Sequence, residues 1–505
     1  MPSTNRTDPK VRYHSEQTVL AALKSPKTLL REVLAGLVVS LALIPEAIAF
    51  SIIAGVDPKV GLVSAFIMPV TIAITGGRPA MITSATGAVV LVVAPLSQEY
   101  GMHYLVATII LAGIIQILLS VFGVAKLMRF IPQSVMTGFV NALAIMLLVA
   151  QLPELISVPW ATYLLVAIGV IIILLMPKIT TVIPAPLVSI VVLTAIVIFS
   201  SVNVATVGDK GALPTVMPKL FFLNIPFTWD TLTLIGPYAI AVALVGLMET
   251  LMTAKLVDDI TDTHSNKTRE GIGQGIANIA SALFGGMGGC AVIGQTMINV
   301  KASRARTRIS TFLAGVFLCI LLLGFGDIVA KLPMAALVAV MITVSIDTFN
   351  WHSIQPSTIK RLPKSETITM VITVIFVLAT NNLAIGVIIG VLVASVFFVR
   401  DIAHLVEVHR RSDEVDGEEV AHYKVDGPLL FASSHDLTTM FEYTKDPKHV
   451  IIDFTDSHIW DASSVGVLDA IQEKYRKLGK SVEFIGMNRP TTKIHEKLSG
   501  TINTD

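Results

Sequence analysis

The sequence is poor in charged residues and almost without cysteine. Only 14% of its 505 residues are charged, whereas about 25% is usual for a soluble domain. The two cysteines, Cys290 and Cys319, both lie in apolar stretches, which excludes a disulfide-stapled fold. The net charge of +1 gives no basis for binding nucleic acid, and no such partner is expected. This composition favours a membrane protein, and we expect no cofactor.

The deficit of charge is confined to residues 30–400, where apolar runs alternate with short polar loops. Runs of roughly 17–25 apolar residues are long enough to span a membrane as helices. We predict fourteen spans, with centres near Leu43, Ile67, Val90, Ile114, Ala144, Ile168, Val191, Val242, Ile279, Ile298, Phe317, Val338, Thr373 and Val391. Residues 1–29 form a polar N-terminal segment, and residues 401–505 have the composition of a soluble domain.

Basic residues predict how the spans are oriented in the lipid bilayer. Lys24, Lys27 and Arg31 precede the first span, and basic residues recur in every second loop. An even number of spans then places both termini in the cytoplasm of a multi-pass plasma-membrane protein. We expect no cleavable signal peptide. The segment SRARTR, Ser303–Arg308, is most simply an orientation signal of the same kind.

Two acidic residues stand inside predicted spans. Glu46 occurs in LVVSLALIPEAIAFSIIAG, and Glu249 occurs in YAIAVALVGLMETLMTA. An ionisable side chain inside a membrane is costly, and it marks an ion, proton or substrate pathway by default. The alternatives are structural, since Glu46 could satisfy backbone groups freed by Pro45 and Glu249 could be a buried neutral acid. Their similar surroundings in two halves of the chain favour a transporter built from two repeats.

The two halves also share a broken segment. GGRPAMITSATGAVVLVVAPL follows Glu46, and FGGMGGCAVIGQTMINV follows Glu249. Small residues can be mere packing devices, but a half-helix that begins within the membrane also exposes unpaired N–H groups at the positive end of its dipole. Two facing N-termini would bind an anion without lysine or arginine. The candidate residues are Ser84, Ala85, Thr86 and Gly87 in the first half and Ala291, Val292 and Ile293 in the second.

The tail alternates strands and helices. HVIIDF and SVEFIGMN are typical of buried strands, and VLDAIQEKYRKLG predicts a helix that ends at Gly479. This alternation predicts a small α/β domain. Asp461, Ser463 and Ser464 stand where that helix would begin, which is typical of helix capping. The sequence shows no nucleophile–base set, P-loop or metal cluster, and we predict that the protein is not an enzyme.

Together these motifs resemble the sulfate permease (SulP) family, solute carrier family 26, over nearly the whole chain. The membrane motifs are IPEAIAFSIIAGVDPKVGL, GGRPAMITSATGA, GLMETLMTAKLVDDIT, GQGIANIASALFGGMGG and NVKASRARTRIS. DFTDSHIWDASSVGVLDAI resembles the core of a STAS (sulfate transporter and anti-sigma antagonist) domain. The resemblance implies a polytopic all-α membrane domain with fourteen helices in a 7+7 inverted repeat, followed by a cytoplasmic α/β STAS domain. Helices 1–4 and 8–11 would form a core domain, and helices 5–7 and 12–14 a gate domain.

The resemblance also implies anion binding between helices 3 and 10, an elevator-like motion and a homodimer surrounded by membrane lipid. In sodium-coupled bicarbonate members, an Asp on helix 8 and a Thr one turn later help to hold sodium. The matching residues here are Glu249 and Thr253, so sodium is possible at that position. Glu replaces Asp at 249, and Glu46 stands where many members have Gln. Ala462 follows Asp461 where anti-sigma antagonists carry a phosphorylatable Ser, so we expect no such switch.

We therefore predict secondary active transport of a small anion, namely sulfate, bicarbonate or a dicarboxylate. Glu46, Glu249 and Thr253 are the predicted ion-coupling residues, and a proton is favoured over sodium as the coupled ion. The alternative within transport is a sodium-dependent bicarbonate symporter. The alternative from another class is a non-transporting membrane sensor that signals through the tail.

Overall fold

The chain folds into two units, Met1–Val391 and Leu392–Asp505. The computed structural model describes residues 18–123, 131–179, 185–200, 203–211, 218–226, 228–403, 405–415, 418–434 and 436–499. Residues 1–17 of the predicted N-terminal segment 1–29 lie outside the described residues. The helix Leu383–Ala403 begins in the first unit and ends in the second, and it continues past the predicted domain boundary at residue 400.

Among the described residues, the first half of the membrane unit is helical apart from one two-residue strand. Its elements are α1 (Val19–Lys24), α2 (Pro26–Ile53), α3 (Pro58–Thr75), β1 (Thr83–Ser84), α4 (Gly87–Tyr100), α5 (Met102–Val121), α6 (Gln133–Val149), α7 (Trp160–Ile179) and α8 (Ala185–Ser200). Proline is the first residue of α2 and of α3, where a missing N–H costs nothing. Pro45 lies inside α2 without ending it.

The described part of the second half repeats this pattern, again with one two-residue strand. Its elements are α9 (Val207–Lys210), α10 (Trp229–Thr261), α11 (Lys267–Leu283), β2 (Cys290–Ala291), α12 (Ile293–Met297), a π-helical turn (Ile298–Ala302), α13 (Arg308–Ala330), α14 (Met334–Thr348), α15 (Pro356–Arg361), α16 (Lys364–Thr380) and α17 (Leu383–Ala403). All fourteen predicted span centres fall in helical residues, Ile298 in the π-helical turn.

Eight helices among the described residues are long and apolar enough to cross a membrane, judged by length and composition. Three shorter apolar helices, α4, α8 and α14, accompany them. The polytopic helical fold is as expected, while the number of fourteen crossings stays a prediction.

The helices of the membrane unit pack in two groups. In the first group, α11 packs on α3 and α5, α13 packs on α2 and α3, and α10 packs on α4 and α5. In the second group, α6 packs on α14 and α16, and α7 packs on α8 and α14. All members of the first group were expected in a core domain, and all members of the second group were expected in a gate domain. The division of the fourteen helices into core and gate stays a prediction.

The tail unit is a mixed sheet with helices. Its elements are β3 (Glu407–Val415), β4 (Glu418–Leu429), α18 (Phe431–Ser434), β5 (His449–Asp453), β6 (Ser457–Ile459), α19 (Ala462–Lys477), β7 (Ser481–Ile485) and α20 (Arg489–Leu498). The sheet order is β3-β4-β5-β7, with β3 antiparallel to β4, the remaining neighbours parallel, and β6 paired with β4. The two predicted strands and the predicted helix are present. Asp461 caps α19, accepting a bond from the Ser464 N–H at 2.9 Å.

Candidate functional site

The two short strands pair with each other where the two repeats break. Thr83 lies opposite Ala291 and Ser84 lies opposite Cys290, in antiparallel register. The N–H of Val292 extends the pairing by donating to the carbonyl of Ile82 at 2.8 Å. Each strand leads within a few residues into a helix, α4 or α12. The pairing therefore brings the starts of two helices from different halves of the chain to one place.

The first turns of α4 and α12 carry N–H groups that their own helices leave unpaired. The first intrahelical bonds run from Val90 to Thr86 in α4 and from Thr296 to Val292 in α12. Neither N-cap residue, Thr86 or Val292, makes a side-chain capping bond. The short helix α12 runs directly into the π-helical turn, so the two form one continuous helical segment. The starts of α4 and of this segment each present the positive end of a dipole, which attracts anions.

We call the place where β1 pairs with β2 and the two helices begin the crossing. The structure brings all seven predicted substrate-binding residues to it. Ile293 is half-buried, and the other six, Ser84, Ala85, Thr86, Gly87, Ala291 and Val292, are buried. Among the described residues, the buried hydroxyls of Thr83 and Ser84 have no hydrogen-bond partner. Thr83 was not predicted, because its place opposite Ala291 follows only from the strand pairing.

A glycine allows the two segments to approach so closely. A Cβ atom on Gly289 would lie 1.8 Å from the backbone oxygen of Ser84. Side chains of α11 fix the same residue, because Gln274 Nε2 donates to the Gly289 carbonyl and Asn278 Oδ1 accepts from its N–H, each at 2.9 Å. The loop that contains Gly289 therefore has a fixed backbone where it approaches Ser84 of β1.

Glu249 is bonded directly into this crossing. It is buried, and its Oε2 atom accepts a hydrogen bond from the Cys290 thiol at 2.8 Å. The same sulfur lies 2.9 Å from the hydroxyl of Thr86. The hydroxyl of Thr253 does not reach the Glu249 carboxylate; it donates to the Glu249 backbone carbonyl at 2.8 Å. The predicted coupling pair is thus adjacent, but only the glutamate side chain reaches the crossing.

Glu46 reaches the same segment from α2. The side chain is half-buried, and its Oε1 atom accepts a hydrogen bond from Gln295 Nε2. Gln295 is a buried residue of α12. Both membrane glutamates are therefore hydrogen-bonded to side chains of the second broken segment, residues 290–297. These two partners were not predicted from the sequence, although both lie in the short segment CAVIGQTM.

Two further acids, missed by the sequence analysis, fix loops near the crossing. Glu270 is fully buried at the start of α11, and its Oε2 atom accepts from the N–H groups of Gly77 and Arg78 at 2.6 and 2.7 Å. The Arg78 guanidinium lies 3.0 Å from Asp258. Glu32 is equally buried, and it accepts from the N–H of Arg306 at 2.7 Å. These carboxylates hold the segments next to the two repeat breaks.

The arginine-rich segment has a structural role in addition to the predicted one. Arg308 donates to the backbone carbonyls of Gly76 and Ala73, at 2.6 and 3.0 Å. It thus satisfies carbonyl groups at the end of α3, where the helix itself leaves them unpaired. Its predicted function as an orientation signal stays a prediction.

Two family models match this chain. The model of the sulfate permease family matches residues 29–159 and 154–373, and the model of the STAS domain matches residues 414–499. The chain belongs to the sulfate permease family. The family and the domain that the motifs predicted are thereby confirmed.

Relatives match along nearly the whole chain. YbaR of Bacillus subtilis (strain 168), named for a candidate role in sulfate transport, is 46% identical over 93% of this chain and 97% of its own length. The bicarbonate transporter BicA of Picosynechococcus is 25% identical over 92% of this chain and 90% of its own length.

Solved structures show the same fold. The transmembrane domain of a cyanobacterial bicarbonate transporter BicA matches with a TM-score of 0.62 and 25% identity, covering 73% of this chain and 98% of that one. The murine anion transporter Slc26a9, in an inward-facing state, matches with a TM-score of 0.80 over 98% of this chain and 92% of its own. Its identity of 16% supports likeness of fold alone.

Proposed function

We propose that the protein is a secondary active transporter that moves a small anion across the plasma membrane together with a proton. One observation carries the proposal: the antiparallel pairing of Thr83–Ser84 with Cys290–Ala291 joins two helix starts and bonds Glu249 into the same place. Such a site offers N–H groups and hydroxyls to an oxyanion. Segments 83–90 and 290–297 contain no lysine or arginine, so an anion held there leaves readily.

The substrate in this proposal is sulfate, bicarbonate or a dicarboxylate. Relatives of the chain are named for sulfate and for bicarbonate transport. Backbone N–H groups and hydroxyls bind any of these oxyanions, because all of them present several acceptor oxygens. Protonation of Glu46 or Glu249 would offset part of the anion's charge during its passage through a medium of low dielectric constant.

The proposed movement is elevator-like. The helix group that holds the crossing, α2–α5 with α10–α13, would carry the anion past the second helix group. A homodimer with cytoplasmic termini completes the proposal, and its support is membership of the family.

Uptake by purified protein in proteoliposomes tests the proton coupling. We expect an outside-acid pH gradient to drive anion accumulation, and Glu249→Gln or Glu46→Gln to lower it at least about tenfold, since each removes a titratable group. Glu99→Gln, an exposed glutamate at the end of α4, is the matched control. Full gradient-driven uptake by both membrane variants would refute proton coupling at these residues.

Sodium-dependent bicarbonate symport is the second candidate. Glu249 and Thr253 are buried one turn apart on α10, and two relatives are bicarbonate transporters. Sodium prefers several oxygen ligands, whereas the Glu249 carboxylate has a thiol beside it and the Thr253 hydroxyl donates to a backbone carbonyl. These contacts favour the proton. Sodium titration of bicarbonate uptake at constant pH decides between the two ions. Uptake that requires sodium in the wild type, and that Thr253→Val abolishes, would favour sodium.

A further inference from the structure

A single thiol connects the anion site to Glu249. The Cys290 sulfur is fully buried, 2.8 Å from Glu249 Oε2 on one side and 2.9 Å from the Thr86 hydroxyl on the other. We propose that Cys290 is a hydrogen-bond relay that transmits ion binding at Glu249 to anion binding at Thr86. This inference rests on the proposed transport function and names a positioning residue within it.

The proton count of the three groups fixes the direction of the bonds. An ionised carboxylate can only accept, so the thiol donates its one proton to Glu249. The sulfur has no second proton to donate, and therefore the Thr86 hydroxyl must donate to the sulfur. In this state the hydroxyl proton of Thr86 is directed at Cys290, and none is left for an anion.

Positive charge at Glu249 reverses the relay. When a proton or a cation occupies the carboxylate oxygen, the thiol is released and can donate to the Thr86 oxygen instead. The Thr86 hydroxyl is then free to donate to an anion at the start of α4. The site thus gains a hydrogen-bond donor when the coupled ion is bound. Symport requires positive coupling of this kind, in which each ligand strengthens the binding of the other.

The contacts of Cys290 differ from those of an ordinary core cysteine. A buried cysteine usually packs as a small apolar side chain. Here polar oxygens from α10 and from the N-cap of α4 approach the sulfur from both sides. Thr86 makes no side-chain bond to its own helix, so its hydroxyl is available to this relay.

Other charged or titratable groups around Glu249 stand more than one helical turn away or at helix ends. On α10 itself and on the packed helices α4, α5 and α11 these groups are Asp230, Tyr238, Lys255, Asp258, Asp259, Glu99, Tyr100, His103, Tyr104, Lys267, Arg269 and Glu270. Among the described residues, Cys290 is the titratable side chain that donates a hydrogen bond to the Glu249 carboxylate, which makes it the direct route to Thr86.

Anion affinity, measured against the availability of the coupled ion, tests the relay. Purified full-length protein is titrated with sulfate and with bicarbonate between pH 5.5 and 7.5, with and without sodium, and binding is followed by thermal stabilisation. We expect the wild-type affinity for the anion to rise about tenfold as the coupled ion, a proton or sodium, becomes bound. Cys290→Ser should keep this dependence, because a hydroxyl can donate and accept in the same way. The anion affinity of Cys290→Ala should change by less than about twofold across the same range.

The controls separate this inference from the proposed function. Cys319→Ala removes the other cysteine, which lies beside Leu62, Val63 and Phe66, and should behave as wild type. A Cys290→Ala protein that keeps the full wild-type dependence refutes the relay while the transport proposal stands. A wild-type protein that accumulates anion without any ion gradient refutes the coupling itself. If Cys290→Ala does not fold, the relay is judged on Cys290→Ser, whose loss of dependence would also refute it.

Discussion

Gly289 decides whether the two halves of the proposed anion site can meet. Any side chain there would place a Cβ atom 1.8 Å from the Ser84 backbone oxygen, and that oxygen belongs to a paired strand that cannot retreat without breaking the pairing. The α11 amides of Gln274 and Asn278 hold Gly289 from the other side. The residue is therefore enclosed by backbone and by bonded side chains.

We predict that Gly289→Ala lowers both stability and transport. Overpacking against backbone costs about 1–3 kcal/mol or more. The measurement is the thermal unfolding midpoint in detergent, together with anion uptake in proteoliposomes. Gly236→Ala, near the start of α10, is the matched control, because a Cβ atom there meets nothing within 4 Å. A Gly289→Ala protein as stable and active as wild type would show that the strands separate freely.

The two glutamates could be predicted from the sequence, but their partners could not. A carboxylate inside an apolar span is visible because its burial is costly whatever surrounds it. The partners of Glu46 and Glu249 are contacts between distant parts of the chain, made by Gln295 and Cys290. Such contacts depend on how the repeats pack, which residue types and spacing within one segment do not reveal.

At the scale of elements, buried carboxylates stabilise the loops that flank the repeat breaks. Glu270, at the start of α11, accepts two N–H groups of the loop after α3, and Glu32, in α2, does the same for the loop before α13. The glycine pairs could be recognised in the sequence as breaks. Glu270 and Glu32 stand beside polar residues at helix starts, so their complete burial could not be recognised there.

We expect Glu270→Ala to lower the free energy of unfolding by about 2 kcal/mol or more, since two buried N–H groups lose their acceptor. Glu270→Gln should cost less, because its amide oxygen can still accept. Thermal unfolding in detergent measures the effect. Asp259→Ala, an exposed acid at the end of α10, is the control and should change the midpoint little. Equal midpoints for Glu270→Ala and the control would contradict a role for Glu270 in holding the loop.

At the scale of the whole molecule, every contact described for the proposed anion site lies within the membrane unit. The strand pair, both glutamates and the relay cysteine all belong to residues 46–297, while the STAS unit has its own sheet and its own apolar core. The alternation of strands and helices made the α/β fold of the tail predictable, because it is local in sequence. The pairing of β1 with β2 was not visible as strand propensity, since each strand has two residues.

We predict that a chain ending at Ala403, after α17, still transports the anion. The cut falls between α17 and β3, so it splits no element of the sheet. Because no residue of the proposed site lies in the tail, uptake per folded protein should stay within about threefold of the full-length protein, which corresponds to about 0.7 kcal/mol or less. Proteoliposome uptake normalised to protein that elutes as a single species measures this.

The control is the same truncated chain with Glu249→Gln, whose gradient-driven uptake should fall as it does in the full-length protein. If the truncated chain binds the anion with full affinity but moves none, the tail is required for movement. The alternative of a membrane sensor gains support only if the full-length protein also binds the anion without moving it.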